Sequence, residues 1–510
     1  SLTILSSKKN IKGDTMWHFA PTNVHWIDIT LIVLYLAGIT VFGFYYKSHI
    51  KTAKDYFLAN RSLPWWVIGL SIIGTNIGSN DYIGAAGNAY SIGIAQANFE
   101  WIGAIPAMIL SALIFIPFFW RAGVYSIPEY LGLRYNNIVR FIAACVMSIF
   151  SVVIVGVFLW ATAIMLQTYL GWPVWFSIFI TATVVGFYTI SGGLGAVAIT
   201  DTIQVFIMFF SAIIVAVIGI KTIGGFDSFI ETLKVNYPDH LNAFLPANHP
   251  AFPWHGVILG LGLVLSPAYW CANQAILQRT FGARSEWDGK ASLIFAAMLK
   301  TFVPFLIVMP GLLALTLAGK SITHQDQALP WVIKNVLPAG ISGLMFVAFI
   351  AALQSSIDST MNSTSVMIVR DIINVVRKEK LSDALQLKFG RIFTFCILII
   401  GVIFAPITAY FQGIYVFIQY ALSLFQGPIF ALMIFGILDK RITATAGVVS
   451  LLTGLCFAAL LGWFHLNMLY IAFFSFCYSA IVLYIISTFT KKKSLSELKN
   501  VVYSSVVNIK

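Results

Sequence analysis

Long apolar stretches alternate with short polar connections along most of the chain. An apolar run of about 18 residues or more is long enough to cross a bilayer as a helix. Such runs lie near 27–46, 64–90, 98–120, 138–169, 172–190, 196–221, 255–276, 289–318, 339–369, 389–411, 414–436, 442–463 and 467–489. The pattern predicts an all-α polytopic membrane protein with about 13 transmembrane helices.

Composition excludes a soluble globular protein, because 59% of the residues are hydrophobic and only 10% are charged. An N-terminus on the outer side places most Lys and Arg residues on the inner side, including Arg370, Arg377 and Lys491 to Lys493. This asymmetry follows the positive-inside rule, so the net charge of +12 is explained by topology without nucleic-acid binding. We therefore expect an outer N-terminus and a cytoplasmic C-terminus.

Other residue types indicate which membrane contains the protein and which class of membrane protein it belongs to. The first 26 residues lack the apolar core of a signal peptide, so we expect the helix at 27–46 to be retained. All five cysteines fall inside predicted spans, and the outer loops carry no N-glycosylation motif, which favours a bacterial inner membrane. The eight histidines lie in loops or at span ends, which argues against a histidine-ligated metal site and a membrane enzyme.

Two predicted helices are interrupted by polar and helix-breaking residues. The first carries "GTNIGSND", and the second carries "GLVLSPAYWCANQ" with Gly262 and Pro267 as the expected breakers. Each opens a block of five spans, and paired broken helices indicate an inverted-repeat transporter with a site at the membrane midplane. Close helix packing is the alternative explanation for any single glycine.

These blocks predict a division of the chain. It consists of an outer segment 1–26, a preceding helix and inner loop 27–63, a first repeat 64–222, an outer loop 223–254, a second repeat 255–436, two additional helices 437–490 and a cytoplasmic tail 491–510.

Hydroxyl groups form a stripe within "AALQSSIDSTMNSTS", residues 351–365. Ala352, Ser355, Ser356, Ser359 and Ser363 share one helical face, and Asp358 lies beside them. Oxygen atoms on one face suit a small, hard cation. Hydroxyls that only hold helices together are the alternative, but the carboxylate of Asp358 is harder to explain in that way.

A lysine near the middle of "FAAMLKTFVPFLIVMPG" is a further candidate functional residue. An ammonium group at the bilayer centre costs at least about 2.5 kcal/mol, so Lys300 is expected to face a cavity or a charged partner.

Several longer motifs resemble those of the sodium/solute symporter family, closest to its sodium/glucose cotransporter branch. They are "DYFLANRSLPWWVIGLSIIGTNIGSNDYIG", "GVYSIPEYLGLRYN", "GGLGAVAITDTIQ", "YWCANQAILQRTF" and "MLKTFVPFLIVMPG". The resemblance extends from about residue 27 to 450. It implies a leucine-transporter-type core of five plus five inverted helices, with further helices outside the core.

The resemblance also implies two sets of site residues. Sodium would bind the carbonyls of Gly74, Ile77 and Ala352 and the hydroxyls of Ser355 and Ser356. The sugar would bind Asn76, Asp81, Glu100, Tyr269, Trp270, Lys300 and Gln419. In that site Lys300 and Glu100 would face one cavity as a neutral pair that hydrogen-bonds the sugar hydroxyls. A buried pair that only holds two helices in register is the alternative. Some family members hold an additional sodium, for which the matching positions here are Asp201, Asp358 and Ser359. Protonation of Asp358, or its pairing with an inner arginine such as Arg140, is the alternative.

The expected function is therefore sodium-driven symport of a small neutral sugar by alternating access, without enzymatic activity or an obligate protein partner. Asp81 replaces the Gln or His of better-known sugar carriers, which leaves the solute open. A glucose- or galactose-like hexose ranks first, myo-inositol or another polyol second, and an amino sugar or amine third. A sugar sensor that does not transport is a further alternative.

Overall fold

The computed structural model describes residues 24–47, 52–379, 381–410, 413–494 and 496–503, and the regular elements in that part of the chain are helices joined by irregular connections. Its β-type pairing consists of one isolated bridge between Leu63 and Ala283. Nine helical stretches in the described ranges are long and apolar enough to cross a membrane, or ten if a bent pair is counted as one span. The all-α membrane class is confirmed, whereas a count of 13 helices is not.

The N-terminal half contains ten α-helices. They are α1 (Trp26–Lys47), α2 (Ala53–Leu58), α3 (Trp65–Asn76), α4 (Ala86–Ile92), α5 (Asn98–Trp101), α6 (Ile105–Leu110), α7 (Ile116–Ala122), α8 (Ile127–Arg134), α9 (Asn137–Leu170) and α10 (Val174–Ile223). π-Helical turns at Asp81–Ala85 and Ser111–Phe115 join α-helical pieces into longer membrane segments.

The C-terminal half contains fifteen. They are α11 (Phe226–Asn236), α12 (Trp254–Gly256), α13 (Ser266–Ala272), α14 (Gln274–Phe281), α15 (Glu286–Lys300), α16 (Val303–Ile307), α17 (Met309–Ala318), α18 (Ala328–Asn335), α19 (Ile341–Val366), α20 (Asn374–Arg377), α21 (Asp383–Phe404), α22 (Ile414–Ser423), α23 (Gln426–Leu438), α24 (Ala444–Trp463) and α25 (Met468–Phe489). π-Helical turns occur at Val257–Leu265 and Met367–Ile373.

Two predicted span boundaries differ from the structure. Helix α10 joins the predicted spans 172–190 and 196–221 in one helical stretch of 50 residues, with apolar parts at Val174–Gly186 and Leu194–Ile223. The predicted span 414–436 is divided between α22 and α23, which are bent by 47°. Ser191, Gly192 and Gly193 separate the two apolar runs of α10 without ending the helix, whereas the bend between α22 and α23 falls in a largely apolar stretch. Hydrophobicity alone therefore does not show where a helix ends or bends.

Helix α19 is the most enclosed membrane helix. In its membrane segment Ile341–Arg377, 89% of the most apolar stretch of 18 residues is buried inside the protein. The corresponding share is 33% for α24 and for α25. Burial explains why α19 can carry a stripe of hydroxyl and carboxyl groups that lipid would disfavour. Its first turn is capped by Asp28 of α1, whose carboxylate accepts hydrogen bonds from the backbone N–H groups of Gly340 (2.6 Å) and Gly343 (2.9 Å).

The expected division of the chain into segments stays a prediction. Residues 1–23 of the outer segment 1–26 lie outside the described residues. The same is true of Leu495 and of residues 504–510 in the predicted tail 491–510.

Candidate substrate and sodium site

The first broken helix places polar groups at the middle of the protein. Helix α3 ends at Asn76, and Ile77 leaves helical geometry with φ −87° and ψ 90°. The carboxylate of Asp81 accepts a hydrogen bond from the Gly78 N–H (2.9 Å) and so satisfies a backbone group freed by the break. A Cβ atom on Gly78 would lie 2.7 Å from the Ser356 hydroxyl, so glycine permits the close approach of this break to α19.

The second broken helix breaks later than predicted. Helix α13 ends at Ala272, Asn273 is extended with φ −79° and ψ 121°, and α14 begins at Gln274. The helix continues through Gly262 and Pro267, so the prediction of these two residues as breakers was wrong. Pro267 directly follows a π-helical turn, where the ladder of hydrogen bonds is already irregular and the missing N–H is tolerated.

Lys300 lies at the end of α15, where the helix is interrupted before α16. Its ammonium group donates hydrogen bonds to the Glu100 carboxylate on α5 and to the Asn76 side-chain carbonyl on α3. The Lys300 and Glu100 side chains are only 3% and 5% exposed. The predicted pairing is confirmed in geometry, and the pair brings three separate helices together.

Two aromatic residues of α13 complete this cluster. The Asn76 amide donates to the Tyr269 hydroxyl at 3.3 Å. The ring of Trp270 has its centroid 5.8 Å from the Lys300 ammonium nitrogen, and its indole N–H donates to the Gly103 carbonyl at 3.2 Å. Five of the seven predicted sugar-binding residues therefore lie together on α3, α5, α13 and α15.

The remaining two residues, Asp81 and Gln419, line the same cavity as the Lys300 cluster. Phe99 and Tyr415, which the sequence analysis did not single out, also line it and pack edge to face at 5.2 Å. Phe99 packs in the same way against Phe252 at 4.9 Å. Aromatic residues in apolar helices carry little signal on their own, and only the packing shows that these rings border the cavity.

The predicted sodium ligands converge where α3 ends against α19. A Cβ on Gly74 would lie 3.2 Å from the Ser355 hydroxyl, and the Ser356 hydroxyl donates to the Thr75 carbonyl at 2.9 Å. The buried Ser355 hydroxyl lies beside the Asp201 carboxylate. Hydroxyl and carbonyl oxygens next to a carboxylate fit a small, hard cation such as sodium. Ala352, fully buried, lies one turn before these serines.

The predicted ligands of an additional sodium are only partly brought together. Asp201 and Ser359 both lie beside Thr75, whose hydroxyl is 3.5 Å from the Asp201 carboxylate and 3.0 Å from the Ser359 oxygen. Arg279 of α14 contacts both Asp201 and Ser359. Arg279 was not among the predicted site residues, although it lies in the motif "YWCANQAILQRTF", because the predicted span 255–276 ends before it.

Asp358 lies on another face of α19. It follows Gln354 by one helical turn, and the Gln354 side-chain carbonyl accepts a hydrogen bond from Tyr35 of α1 (2.8 Å). Arg140, the predicted alternative partner of Asp358, instead forms an ion pair with Asp371 at 2.6 Å. Asp358 is fully buried on the side of α19 that it shares with Gln354, which contacts α1.

Comparisons with known proteins agree with this fold. The family model described as the sodium:solute symporter family matches residues 56–454. The chain is 32% identical to a sodium/glucose cotransporter of Vibrio parahaemolyticus over 470 residues, which cover 87% of this chain and 86% of the relative. It is also 32% identical to a mouse sodium/myo-inositol cotransporter, covering 81% of this chain and 64% of the relative.

A solved structure shows the same fold. A Na⁺-coupled sialic acid symporter in a substrate-bound, outward-open state superposes with a TM-score of 0.82 at 23% identity, covering 92% of this chain and 99% of that structure. The helical architecture is therefore that of a sodium-coupled symporter. The chain belongs to the sodium:solute symporter family and is an integral membrane protein that couples solute transport to sodium.

Proposed function

We propose that the transported solute is a small, neutral, polyhydroxylated molecule. The observation that carries this proposal is the buried cluster of Lys300, Glu100, Asn76 and Tyr269, in which donors and acceptors from four helices meet without net charge. A sugar offers several hydroxyl groups that both donate and accept, so it can exchange hydrogen bonds with each of these groups. An anionic solute would meet two carboxylates, Glu100 and Asp81, in the same cavity, and a cationic solute would compete with Lys300 for Glu100.

A hexose such as glucose or galactose ranks first among such solutes, and myo-inositol or another polyol ranks second. Relatives described as sodium/glucose and sodium/myo-inositol cotransporters support both. An amino sugar or amine ranks third. This third possibility depends on Asp81, which lines the cavity and could pair with an ammonium group of the solute. The Asp81 carboxylate already accepts a hydrogen bond from the Gly78 N–H.

Sodium coupling would act through the break that ends α3. Gly74 and Ile77 would present carbonyl oxygens to sodium beside Ser355 and Ser356, and Ala352 would supply a further carbonyl. Asn76, which lies between Gly74 and Ile77, contacts Lys300 and Tyr269 in the cavity. Sodium binding would therefore order the same short segment that holds the solute, which gives the two ligands a direct energetic link.

Alternating access would then move the five-helix blocks 64–222 and 255–436 relative to each other. The orientation consistent with the basic residues has an outer N-terminus and a cytoplasmic C-terminus in a bacterial inner membrane.

Uptake into proteoliposomes tests the proposal. Labelled glucose, galactose and myo-inositol are offered separately, with and without an inward sodium gradient. Accumulation of at least one of them that requires the gradient is expected. Sodium-dependent accumulation of an amine in preference to all three would overturn the neutral solute, and binding without uptake would identify a sensor.

A further inference from the structure

The cavity that holds the Lys300 cluster continues toward the predicted cytoplasmic side. Its lining follows one face of α9 back toward the start of that helix, at Phe158, Ile154, Ser151 and Met147. It also reaches Met367, directly after the end of α19. The nearby Arg140 and Arg370 place these helix ends on the cytoplasmic side under the positive-inside rule. The cavity therefore extends beyond the Lys300 cluster along the route by which a solute would leave.

Gln426 brings a hydrogen-bonding group to this inner part of the cavity. It is the first residue of α23, lines the cavity and is 5% exposed. Among the residues that the structure describes, the side-chain carbonyl oxygen of Gln426 has no hydrogen-bond partner. A buried amide oxygen without a partner is costly and calls for an explanation. Because a glutamine amide both accepts and donates, it suits the hydroxyl groups of a solute.

The residues that follow Gln426 hold this part of the backbone in place. A Cβ on Gly427 would lie 2.7 Å from the Ala472 carbonyl oxygen, so the start of α23 approaches α25 closely. A Cβ on Gly454 of α24 would lie 3.1 Å from the side chain of Pro428. Gly427 and Pro428 therefore pack against the two helices that follow the second repeat, whereas Gln426 lines the cavity.

A hydroxyl group and two aromatic rings lie in the same inner part. Phe150 and Phe425 both line the cavity, and their ring centroids are 4.7 Å apart. They directly precede Ser151 and Gln426 in the sequence. The Ser151 hydroxyl donates to the Met147 carbonyl at 2.8 Å, so its oxygen can still accept a hydrogen bond. Uncharged polar groups beside aromatic rings suit a molecule that has both hydroxyl groups and an apolar face.

We propose that Gln426, Ser151 and the Phe150–Phe425 pair form a second solute subsite, the exit subsite, on the cytoplasmic side of the Lys300 cluster. It would bind the same neutral, polyhydroxylated class of solute, so the inference rests on the proposed function. Gln426 follows Gln419 by seven residues, which span about 10 Å of helix. None of the four residues of the exit subsite lies in the motifs that resemble the symporter family.

The exit subsite would divide release of the solute into two steps. A solute that leaves the Lys300 cluster gives up several hydrogen bonds, and the Gln426 amide and the Ser151 hydroxyl replace some of them. The exit subsite contains no ion pair, and hydrogen bonds to neutral groups are weaker than those to charged groups. It should therefore bind the solute less tightly than the Lys300 cluster does.

Equilibrium binding to the purified full-length carrier in saturating sodium tests the inference, with radiolabelled glucose, galactose and myo-inositol each used alone. The wild type should bind two molecules of at least one of these solutes per chain, in a tighter and a weaker phase. Gln426→Leu keeps the approximate size but removes the amide, so it should weaken the weaker phase by at least about fivefold and leave the tighter phase unchanged. Lys300→Ala should instead weaken the tighter phase.

Ser423→Ala is the matched control. Ser423 is buried three residues before Gln426 and does not line the cavity, and its hydroxyl donates to the Tyr420 carbonyl at 2.6 Å. Both binding phases should be unchanged in this variant. Ser151→Ala is a second test of the exit subsite if Gln426→Leu fails to fold, because the Ser151 hydroxyl bonds only within its own helix. It should also weaken the weaker phase.

A wild type that binds one solute molecule per chain would overturn the exit subsite. So would a folded Gln426→Leu or Ser151→Ala protein in which the weaker phase is unchanged. A wild type that binds none of the three solutes would contradict the proposed function, and the exit subsite with it.

Discussion

The ammonium group of Lys300 donates a hydrogen bond to the carboxylate of Glu100, from a position 200 residues further along the chain. Both side chains are buried, and Lys300 also contacts Asn76 in the broken helix α3. The pair therefore lies at the junction of three helices and borders the cavity. This position explains how a lysine is tolerated within an apolar membrane segment, because its charge is compensated and hydrogen-bonded.

We expect Lys300→Ala to weaken solute binding by about 1.5–3 kcal/mol, which is roughly a 10- to 150-fold loss of affinity. The loss would come from a missing hydrogen bond to the solute and from a Glu100 carboxylate left without its partner. Solute binding to purified protein, measured beside thermal unfolding, separates this effect from misfolding.

Lys290→Ala is the matched control for this experiment. Lys290 lies on the same helix, α15, but it is 38% exposed and pairs with Glu286 away from the cavity. Its replacement should leave affinity unchanged. Wild-type affinity in a folded Lys300→Ala protein would show that the ion pair only holds the helices together.

Asp81 should make binding selective among neutral epimers. Its carboxylate caps the Gly78 N–H and lines the cavity, so an inverted or missing solute hydroxyl would leave a buried acceptor unsatisfied. Asp81→Asn keeps one acceptor and should reduce discrimination between glucose and its epimers, as measured by competition for sodium-driven uptake. Unchanged discrimination between epimers in this variant would show that Asp81 does not contact the solute and only accepts the hydrogen bond from the Gly78 N–H.

Removal of the Ser355 hydroxyl should raise the sodium concentration needed for half-maximal uptake by at least about tenfold, because a hard cation loses one of its oxygen ligands. Ser363→Ala is the control on the same helix, since the buried Ser363 hydroxyl donates to the Thr360 carbonyl at 3.0 Å. The sodium dependence of the control should match the wild type. Equal shifts in both variants would indicate a general effect on α19 rather than lost coordination.

Asp326 lies outside the membrane segments, in the connection between α17 and α18. Its carboxylate accepts a hydrogen bond from the backbone N–H of Ile414 (3.2 Å), the first residue of α22. Burial raises the pKa of Asp326 from 3.8 to about 6, and the nearby His324 and the Ile414 N–H lower it only in part. The folded protein therefore binds a proton that the unfolded chain releases between about pH 4 and pH 6.

This contribution to stability is fully present below about pH 4 and is lost as the pH rises through about 6. At neutral pH the buried charge costs about 3 kcal/mol. Asp326→Asn stays neutral and keeps an acceptor for Ile414, so we expect a higher Tm at neutral pH and no difference near pH 4. Asp239→Asn, at an exposed site, is the control and should leave the Tm unchanged both at neutral pH and near pH 4. A lower Tm for Asp326→Asn at neutral pH would contradict this account.

Local patterns were sufficient to predict the class of the protein and the elements that carry the site. Apolar runs predicted membrane helices, helix-breaking residues located the break after Asn76, and the serine spacing placed Ser355 and Ser356 on one face of α19. Such features depend on neighbouring residues, so they can be read along the chain. The charge of Lys300 in an apolar run predicted a cavity or a charged partner, and the family resemblance implied Glu100, with which Lys300 forms an ion pair.

Only the tertiary structure decided which side chains meet across helices. The second break lies at Asn273 rather than at Gly262 or Pro267, because π-helical geometry next to Pro267 absorbs the irregularity. Asp358 lies on the face of α19 that Gln354 shares and that contacts α1, whereas the next residue, Ser359, contacts Arg279. Arg279 reaches Asp201 and Ser359 from a helix outside the predicted spans. Each of these outcomes depends on how distant helices are rotated and packed, and the order of residues along one helix does not contain that information.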